Sequence, residues 1–315
     1  VPAQRKQNNV AKKMRQRAYF YLLLNTLCWG AVFPIVKPAF DVTTPYRFLL
    51  YRYLWATLIT LPILFLYLPK IPHLAAKIGK IVALELLGTT ISLAILYIGL
   101  QHTTAIEAAL LATTTPIFVT LAGIWLLHEK QESHEWLGLW LAFAGTIFLV
   151  AFPFLATQQS LASFSFFGNV LIIVENILSA IYFVLAKKYY RDIPKLFVSA
   201  VSFIVGLVSF FGLSLAELHF SLPLLWQTFV REQHSWPVVV ASVYMGVFGS
   251  VIGLTAYIKG QECIETSEAS FFWYLQPLVY IPLSVVLVRE TISAYQIIGL
   301  ITIFLGVWVA EKRVR

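Results

Sequence analysis

Apolar residues along this chain run in blocks of about twenty positions, with most of the Lys, Arg, Asp and Glu gathered where the blocks end. A helix needs about 20 mainly apolar residues to cross the hydrocarbon of a bilayer. Ten stretches meet that length: 18–36, 46–68, 79–100, 105–127, 134–154, 166–188, 195–216, 236–259, 266–288 and 292–311. The connections are mostly short, so neighbours in sequence are expected to be neighbours in space. The longest, 217–235, carries Glu217, His219, Arg231, Glu232 and His234 and is expected to be a loop or an interfacial helix. No soluble domain fits anywhere. The pattern predicts an all-α integral membrane protein with ten transmembrane helices.

The polar punctuation of the first half returns in the second. Glu107-Ala108, Pro116, Glu129, Gly138 and Gly145 reappear as Glu268-Ala269, Pro277, Glu290, Gly299 and Gly306, each 161 positions on. Tyr97-Ile98 and Gln101 match Tyr257-Ile258 and Gln261 at a shift of 160, and Asn25 and Lys37 match Asn176 and Lys188 at 151. Matching Pro, Gly and Glu carry more weight than apolar matches in so apolar a chain. Five helices per copy is an odd number, so the second copy enters the membrane from the opposite side. The expected organisation is a basic tail (1–17), a first five-helix repeat (18–156) and a second, inverted one (157–315). Internal repeats of this kind mark carriers that rock one half against the other around a midplane site.

Composition agrees: 59% of the 315 residues are hydrophobic, 12% are charged, and the mean hydropathy is +0.78. A net charge of +8 would suggest nucleic acid in a soluble protein, but here position decides, and no nucleic-acid partner is expected. Of the 23 Lys and Arg residues, Lys37, Arg47, Arg52, Arg231 and Arg289 fall at one set of segment ends and the remaining 18 at the other. The positive-inside rule then places both termini in the cytoplasm of a cell (inner) membrane protein. The first apolar run follows six basic residues, yet it is long for a leader and no small-x-small site closes it, so it is expected to be the first spanning helix. Cys28 and Cys263 supply neither a disulfide framework nor metal spacing.

Several residues could carry mechanism. Pro116 and Pro277 fall near the middle of the fourth and ninth segments and deprive the carbonyls of Ala112 and Trp273 of their helical partners. Each kink is either a packing feature satisfied by a neighbouring hydroxyl, with Thr113, Thr114 and Thr115 at hand, or a hinge in a cavity wall. Glu175 sits at the centre of the sixth segment, where an acidic residue costs about 2.5–3.5 kcal/mol to insert and should face the bundle interior. Ser179 and Tyr182 continue its face at i+4 and i+7. Desolvation favours its neutral form, which makes Glu175 a candidate for proton coupling or for a cationic substrate group; a structural carboxyl is the plainer alternative. Asn176 pairs by repeat logic with Asn25, whose face leads to Trp29. Glu85, Thr89 and Ser92 form another stripe, with Glu85 expected to snorkel toward Lys77 and Lys80. Arg52 could pair with a carboxylate, attract an anionic substrate group or anchor at the interface.

Other polar residues read as structural. Thr104-x-x-Glu107 has the form of a capping box, Glu107 and Glu268 suit the first turn of a helix, and Glu129 and Glu290 are expected as turn and cap residues. Small residues at Gly138, Ala142 and Gly145, at Gly299, Thr302 and Gly306, and at Ser242, Gly246, Gly249 and Gly253 give smooth faces for close helix packing. The loop from His128 to Glu135 lacks zinc spacing, and no P-loop, dinucleotide or nucleophile-elbow motif occurs. No cofactor is expected.

These residues resemble the EamA family of the drug/metabolite transporter superfamily. The resemblance lies in Trp29-Gly30 with Lys37, in Pro45 with Arg52, in Tyr97 through Gly145, and most closely in Thr266 through Pro277 with Arg289-Glu290, Gly299 and Gly306. It covers about residues 18–311. It implies ten helices in an inverted five-plus-five repeat and a central cavity lined mainly by segments 1, 3, 4, 6, 8 and 9. Family members move amino acids, other metabolites, nucleotide conjugates or drugs, often outward. Glu175 matches no family motif, so its role rests on its position alone.

The expected function is secondary transport of a small organic solute by alternating access, with amino acids or related metabolites leaving the cell as the leading substrate class. The expected substrate-binding residues are Asn25, Trp29, Thr113, Glu175, Asn176, Ser179, Tyr182, Tyr244, Trp273, Tyr274 and Gln276, with Pro116 and Pro277 as hinges. Expected partners are a small-molecule substrate, the lipid bilayer and, through Glu175, protons; monomer and homo-oligomer both remain open. The competing readings are a non-transporting partner or flippase component and an intramembrane enzyme. The last is disfavoured because no His lies deep in a segment.

Overall fold

Proline, glycine and the hydroxyl side chains decide where the apolar blocks bend. The computed structural model describes residues 2–67, 74–127, 133–157, 164–191, 193–261, 264, 269 and 271–311, and among them every regular element is helical. The first half begins with α1 (Pro2–Gly30), α2 (Val32–Val36) and a 3₁₀ turn (Lys37–Asp41). Then come α3 (Pro45–Tyr67) and α4 (Leu74–Glu85), which runs through a π-helical stretch (Leu86–Ile91) into α5 (Ser92–Gln101). The half ends with α6 (Ala105–Ala112), α7 (Thr115–Leu127) and α8 (Ser133–Thr157).

The second half opens with α9 (Phe164–Tyr189), α10 (Lys195–Glu217) and α11 (Leu222–Glu232). Next, α12 (Trp236–Tyr244) passes through a longer π-helical stretch (Met245–Leu254) into α13 (Thr255–Gln261). A 3₁₀ turn (Phe271–Leu275), α14 (Pro277–Leu283), a π turn (Ser284–Val288) and α15 (Ala294–Glu311) complete the chain.

Among the described residues, seven helical stretches are long and apolar enough to cross a membrane, from Lys13–Asp41 through Trp236–Gln261. Three shorter apolar helices, Trp136–Leu149, Pro277–Val288 and Ala294–Gly306, coincide with the other three expected segments. The long connection is the helix α11, and the basic tail continues α1 back to Pro2 instead of forming a separate element.

The principal helix pairs each join the first half to the second. α3 packs along α10, α5 and α7 pack along α9, α1 packs along α13 and the π stretch before it, and α8 packs along α15. The α8–α15 seam is close because it is lined by small residues. A Cβ on Gly306 would stand 2.4 Å from the Ala142 nitrogen and 2.6 Å from the Gly138 carbonyl. Thr302 spends its hydroxyl on the Ile298 carbonyl of its own helix.

The kink at Pro116 is satisfied locally. Thr115 donates to the Ala112 carbonyl at 2.7 Å, and Asn176 donates to the Leu111 carbonyl at 2.9 Å. At Pro277 the Trp273 carbonyl accepts the backbone N–H of Gln276 at 3.0 Å. A freed carbonyl in an apolar interior costs too much to leave unpaired, and here each freed group has found a donor.

Gly306→Leu should lower the thermal midpoint of the detergent-solubilised protein, since overpacking a tight seam costs about 1–3 kcal/mol. Gly212→Ala, with nothing within 4 Å of the added carbon, should not lower it; equal midpoints for the two variants would contradict the seam.

Candidate functional site

The two long π-helical stretches face one central cavity of about 160 Å³. π turns widen a helix and expose backbone, and they recur at functional sites. Gly88 and Thr89 come from the first, Met245, Gly249 and Leu254 from the second. Gly88 has a steric reason to be glycine: a Cβ there would lie 2.3 Å from the Tyr182 ring. One wall is aromatic. Trp273 stacks on Tyr257 with centroids 4.8 Å apart, Trp29 lies 5.8 Å and Phe183 5.2 Å from Trp273, and Trp29 donates its indole N–H to the Gly249 carbonyl at 2.9 Å.

Two charged residues line this cavity, and they are of opposite sign: Arg52 from α3 and Glu175 from α9. Both are buried, at 8% and 7% exposure. Arg52 donates to the hydroxyls of Ser250 at 2.8 Å and Tyr97 at 3.2 Å, and its guanidinium lies 5.2 Å from the centre of the Tyr53 ring. Glu175 accepts the hydroxyl of Ser179. Among the described residues neither forms an ion pair. A charge left without a counterion inside an apolar bundle is costly, so this arrangement is suited to a guest that brings both signs.

Glu85 departs from expectation. It does not snorkel to lysine; it is fully buried and accepts hydroxyls from Tyr190 at 2.7 Å and Tyr182 at 3.1 Å. Since Tyr182 also lines the cavity, Glu85 holds the wall from behind.

At the end of the bundle where α2 and α5 finish, polar groups bind the helices together. Lys37 donates to the carbonyls of Leu100 at 2.7 Å, Gln101 at 3.2 Å and Thr103. Such a lysine satisfies orphan carbonyls at the end of α5 and complements its dipole. Glu290, ahead of α15, accepts the backbone N–H groups of Ala105 and Ile106, both at 2.8 Å, and so caps α6 of the other half. The expected capping box is only half formed: Thr104 accepts the Glu107 N–H, while the Glu107 carboxylate takes Thr103, Asn169 and Tyr295. Nearby, Arg47 bridges Glu217 at 2.7 Å and the fully buried Glu232 at 3.0 Å, and Glu232 also accepts from Thr43 and Tyr51.

Of the expected substrate-binding residues, Trp29, Glu175, Ser179, Tyr182, Trp273 and Gln276 line the cavity. Asn25, Thr113, Asn176 and Tyr244 are not among the lining residues. Asn25 donates to the Gly253 carbonyl and accepts from Trp273; Asn176 ties α9 to the Pro116 kink; Thr113 bonds to the Leu110 carbonyl; Tyr244 bonds to the Cys28 carbonyl. Each of the four thus has a polar group bonded to a backbone carbonyl. The side chain of Tyr274, together with Glu129, Glu268 and the His128–Glu132 loop, lies outside the described residues. Sequence reasoning left Arg52 undecided and missed Tyr53, Tyr97 and Phe203, which line the cavity from α3, α5 and α10. Tyr97 had a signal, its repeat match to Tyr257; Tyr53 and Phe203 had none, being aromatics in apolar helices.

A bundle of apolar helices around a polar-tipped cavity defines a multi-pass membrane protein with a solute-sized interior. The sequence pattern of the EamA-like transporter family matches residues 16–151 and again 166–311, and the chain belongs to that family. An uncharacterized transporter of Archaeoglobus fulgidus is 26% identical over 304 residues, covering 95% of this chain and 99% of its own. The uncharacterized transporter YyaM of Bacillus subtilis is 25% identical, covering 94% of each chain. A protein of known crystal structure superposes with a TM-score of 0.63 at 16% identity, over 95% of this chain and 96% of its own, and so shares the fold.

Glu232→Ala should destabilise the fold by about 1.5–3 kcal/mol, because it takes one of two carboxylate partners from the buried Arg47 and leaves it Glu217. Glu232→Gln, which retains an acceptor for Thr43 and Tyr51, should cost less; equal thermal midpoints for wild type and both variants would remove Glu232 from the structural account.

Proposed function

We propose that this protein is a secondary carrier that moves amino acids or closely related amphoteric metabolites across the cell membrane by alternating access. The observation that carries the reading is the pair Arg52 and Glu175, opposite in sign, buried without ion pairs, and facing one cavity with an aromatic wall. A zwitterion would set its carboxylate against Arg52, with Tyr97 and Ser250 steadying the guanidinium. Its ammonium would meet Glu175, and its side chain would lie on Trp29, Trp273 and Phe183.

Ten spans in two five-helix halves of opposite sense, 18–156 and 157–315, suit this role. Several contacts support the pairing of the halves. The π stretches at Leu86–Ile91 and Met245–Leu254 overlap at the shift of 160 seen in the sequence. Asn25 bonds to Trp273, the counterpart of Ala112, while Asn176 bonds to Leu111 and Thr114 beside Ala112. Each asparagine thus grips the kinked helix of the opposite half. Pro116 and Pro277 then serve as hinges whose freed carbonyls are already satisfied.

Both termini lie in the cytoplasm in this reading, and the end held by Lys37, Arg47 and Glu290 faces outward. Net movement is outward, in keeping with the family resemblance. Glu175 alternates between the substrate's cationic group and a proton, which couples transport to the pH gradient.

In proteoliposomes, counterflow of labelled amino acids should be lost by at least about tenfold in Arg52→Gln, the removal of one charge-assisted contact being worth ~1.5–3 kcal/mol. Glu175→Gln should flatten the dependence of transport on an imposed pH gradient. Undiminished counterflow in Arg52→Gln, or movement of uncharged solutes alone, would refute the amphoteric substrate; an unaltered pH response in Glu175→Gln would remove the proton from the mechanism.

A further inference from the structure

Successive residues of a helix point about 100° apart, and on that wheel α11 (Leu222–Glu232) carries three stripes. Leu225, Thr228 and Glu232 share the buried face. Glu232 holds this face to α3, bridging Arg47 at 3.0 Å and accepting the Tyr51 hydroxyl at 2.8 Å. Next to it stand Leu222, Trp226 and Val230, at i, i+4 and i+8, apolar and exposed. The remaining side holds Gln227 and Arg231, also exposed, with Leu224 beside them.

A helix lying on a water-washed surface needs two stripes, one buried and one polar. An exposed apolar stripe between them calls for a partner that is apolar on one side and aqueous on the other, as a bilayer surface is. The flanks of α11 agree. Phe220, just ahead of it, is 74% exposed, Trp226 is 65% and Trp236, where α12 starts, is 76%. Phe220 holds this exposure in a left-handed backbone conformation (φ 59°) that bulky residues rarely adopt. Aromatic rings gather at membrane–water boundaries because their bodies are apolar and their edges polar. The neighbours place α11 at such a boundary: α10 and α12 belong to long apolar spans, with Val208 and Phe211 exposed on the first and Val240 on the second.

We propose that α11 is a membrane-seated anchor: lipid of the outer leaflet occupies the stripe of Leu222, Trp226 and Val230, and Gln227 and Arg231 face water. The choice of leaflet rests on the orientation given above; the lipid seat does not. The seat is tied to α3 by two routes. Trp226 stacks on Phe229 with centroids 5.6 Å apart, and Phe229 meets the Tyr51 ring edge-on at 5.3 Å. Arg47 bridges Glu232 of α11 and Glu217 at the end of α10. Lipid, α11 and the outer end of α3 thus form one connected unit, and Arg52 of the cavity wall lies five positions along α3 from Arg47. Seating α11 fixes that end of α3 against the bilayer.

Spin labelling tests the seat in the full chain carrying Cys28→Ser and Cys263→Ser, reconstituted into liposomes of phosphatidylcholine and phosphatidylglycerol. A nitroxide is attached at Trp226→Cys or Val230→Cys on the apolar stripe, and at Gln227→Cys or Arg231→Cys on the polar one. Oxygen concentrates in lipid and a nickel chelate in water. The ratio of oxygen to nickel accessibility at the two apolar-stripe positions should exceed that at the two polar ones by at least about threefold. Equal ratios on both stripes overturn the seat. So does an apolar stripe shielded from both reagents, which would mean that a second copy of the chain covers it. In intact cells an impermeant maleimide should label Gln227→Cys; labelling in inverted vesicles alone would overturn the outer leaflet and the orientation with it, while the spin-label ratios still decide the seat. No solute is moved in these measurements, so a failed substrate assignment leaves their outcome intact.

Discussion

Water is absent from the hydrocarbon layer, so every polar group that a helix bend or end leaves unpaired must find a protein partner. This constraint explains most of the interior of the molecule. The carbonyl freed by Pro116 is met by Thr115, the Leu111 carbonyl before it by Asn176 and the Thr114 N–H, the end of α5 by Lys37, and the start of α6 by Glu290. Against that background the charged groups of the cavity stand out. Arg52 and Glu175 have hydroxyl partners but no ion pair. Two opposed charges facing the same space are the feature on which the proposed substrate site rests.

The same requirement joins the halves. Glu290 caps α6 from the other half, Asn176 reaches the Leu111 carbonyl, and Asn25 accepts the Trp273 indole, so bonds across the repeat add to those each half makes for its own breaks. The small-residue seam between α8 and α15 and the network of Arg47, Glu217 and Glu232 are of another kind, close contacts that hold scaffold together.

The all-helical, multi-span character was legible because it follows from one strong signal, apolar runs of spanning length. Seven of the expected segments appear as long apolar helices and three as shorter ones. The cavity was only partly legible. Glu175 was visible because a carboxyl at mid-membrane needs a reason, and Trp29, Ser179, Tyr182, Trp273 and Gln276 were reached through its helix face or the repeat. Asn25 and Asn176 had the same polarity and depth but serve backbone, since one amide suits a carbonyl of a kinked helix as well as it suits a ligand. Arg52 was left open because its depth along α3 is set by the tilt and bending of its neighbours. Glu85 looked like an interfacial residue for the same reason, until Tyr182 and Tyr190 were found to enclose it.

An experimentally determined structure with a transported amino acid bound would test the central claim most directly. The account requires the ligand carboxylate within hydrogen-bonding distance of Arg52 and its ammonium against Glu175, with its side chain on the Trp29–Trp273 wall. A ligand seated away from both residues, or Arg52 and Glu175 paired with each other in the occupied state, would contradict it.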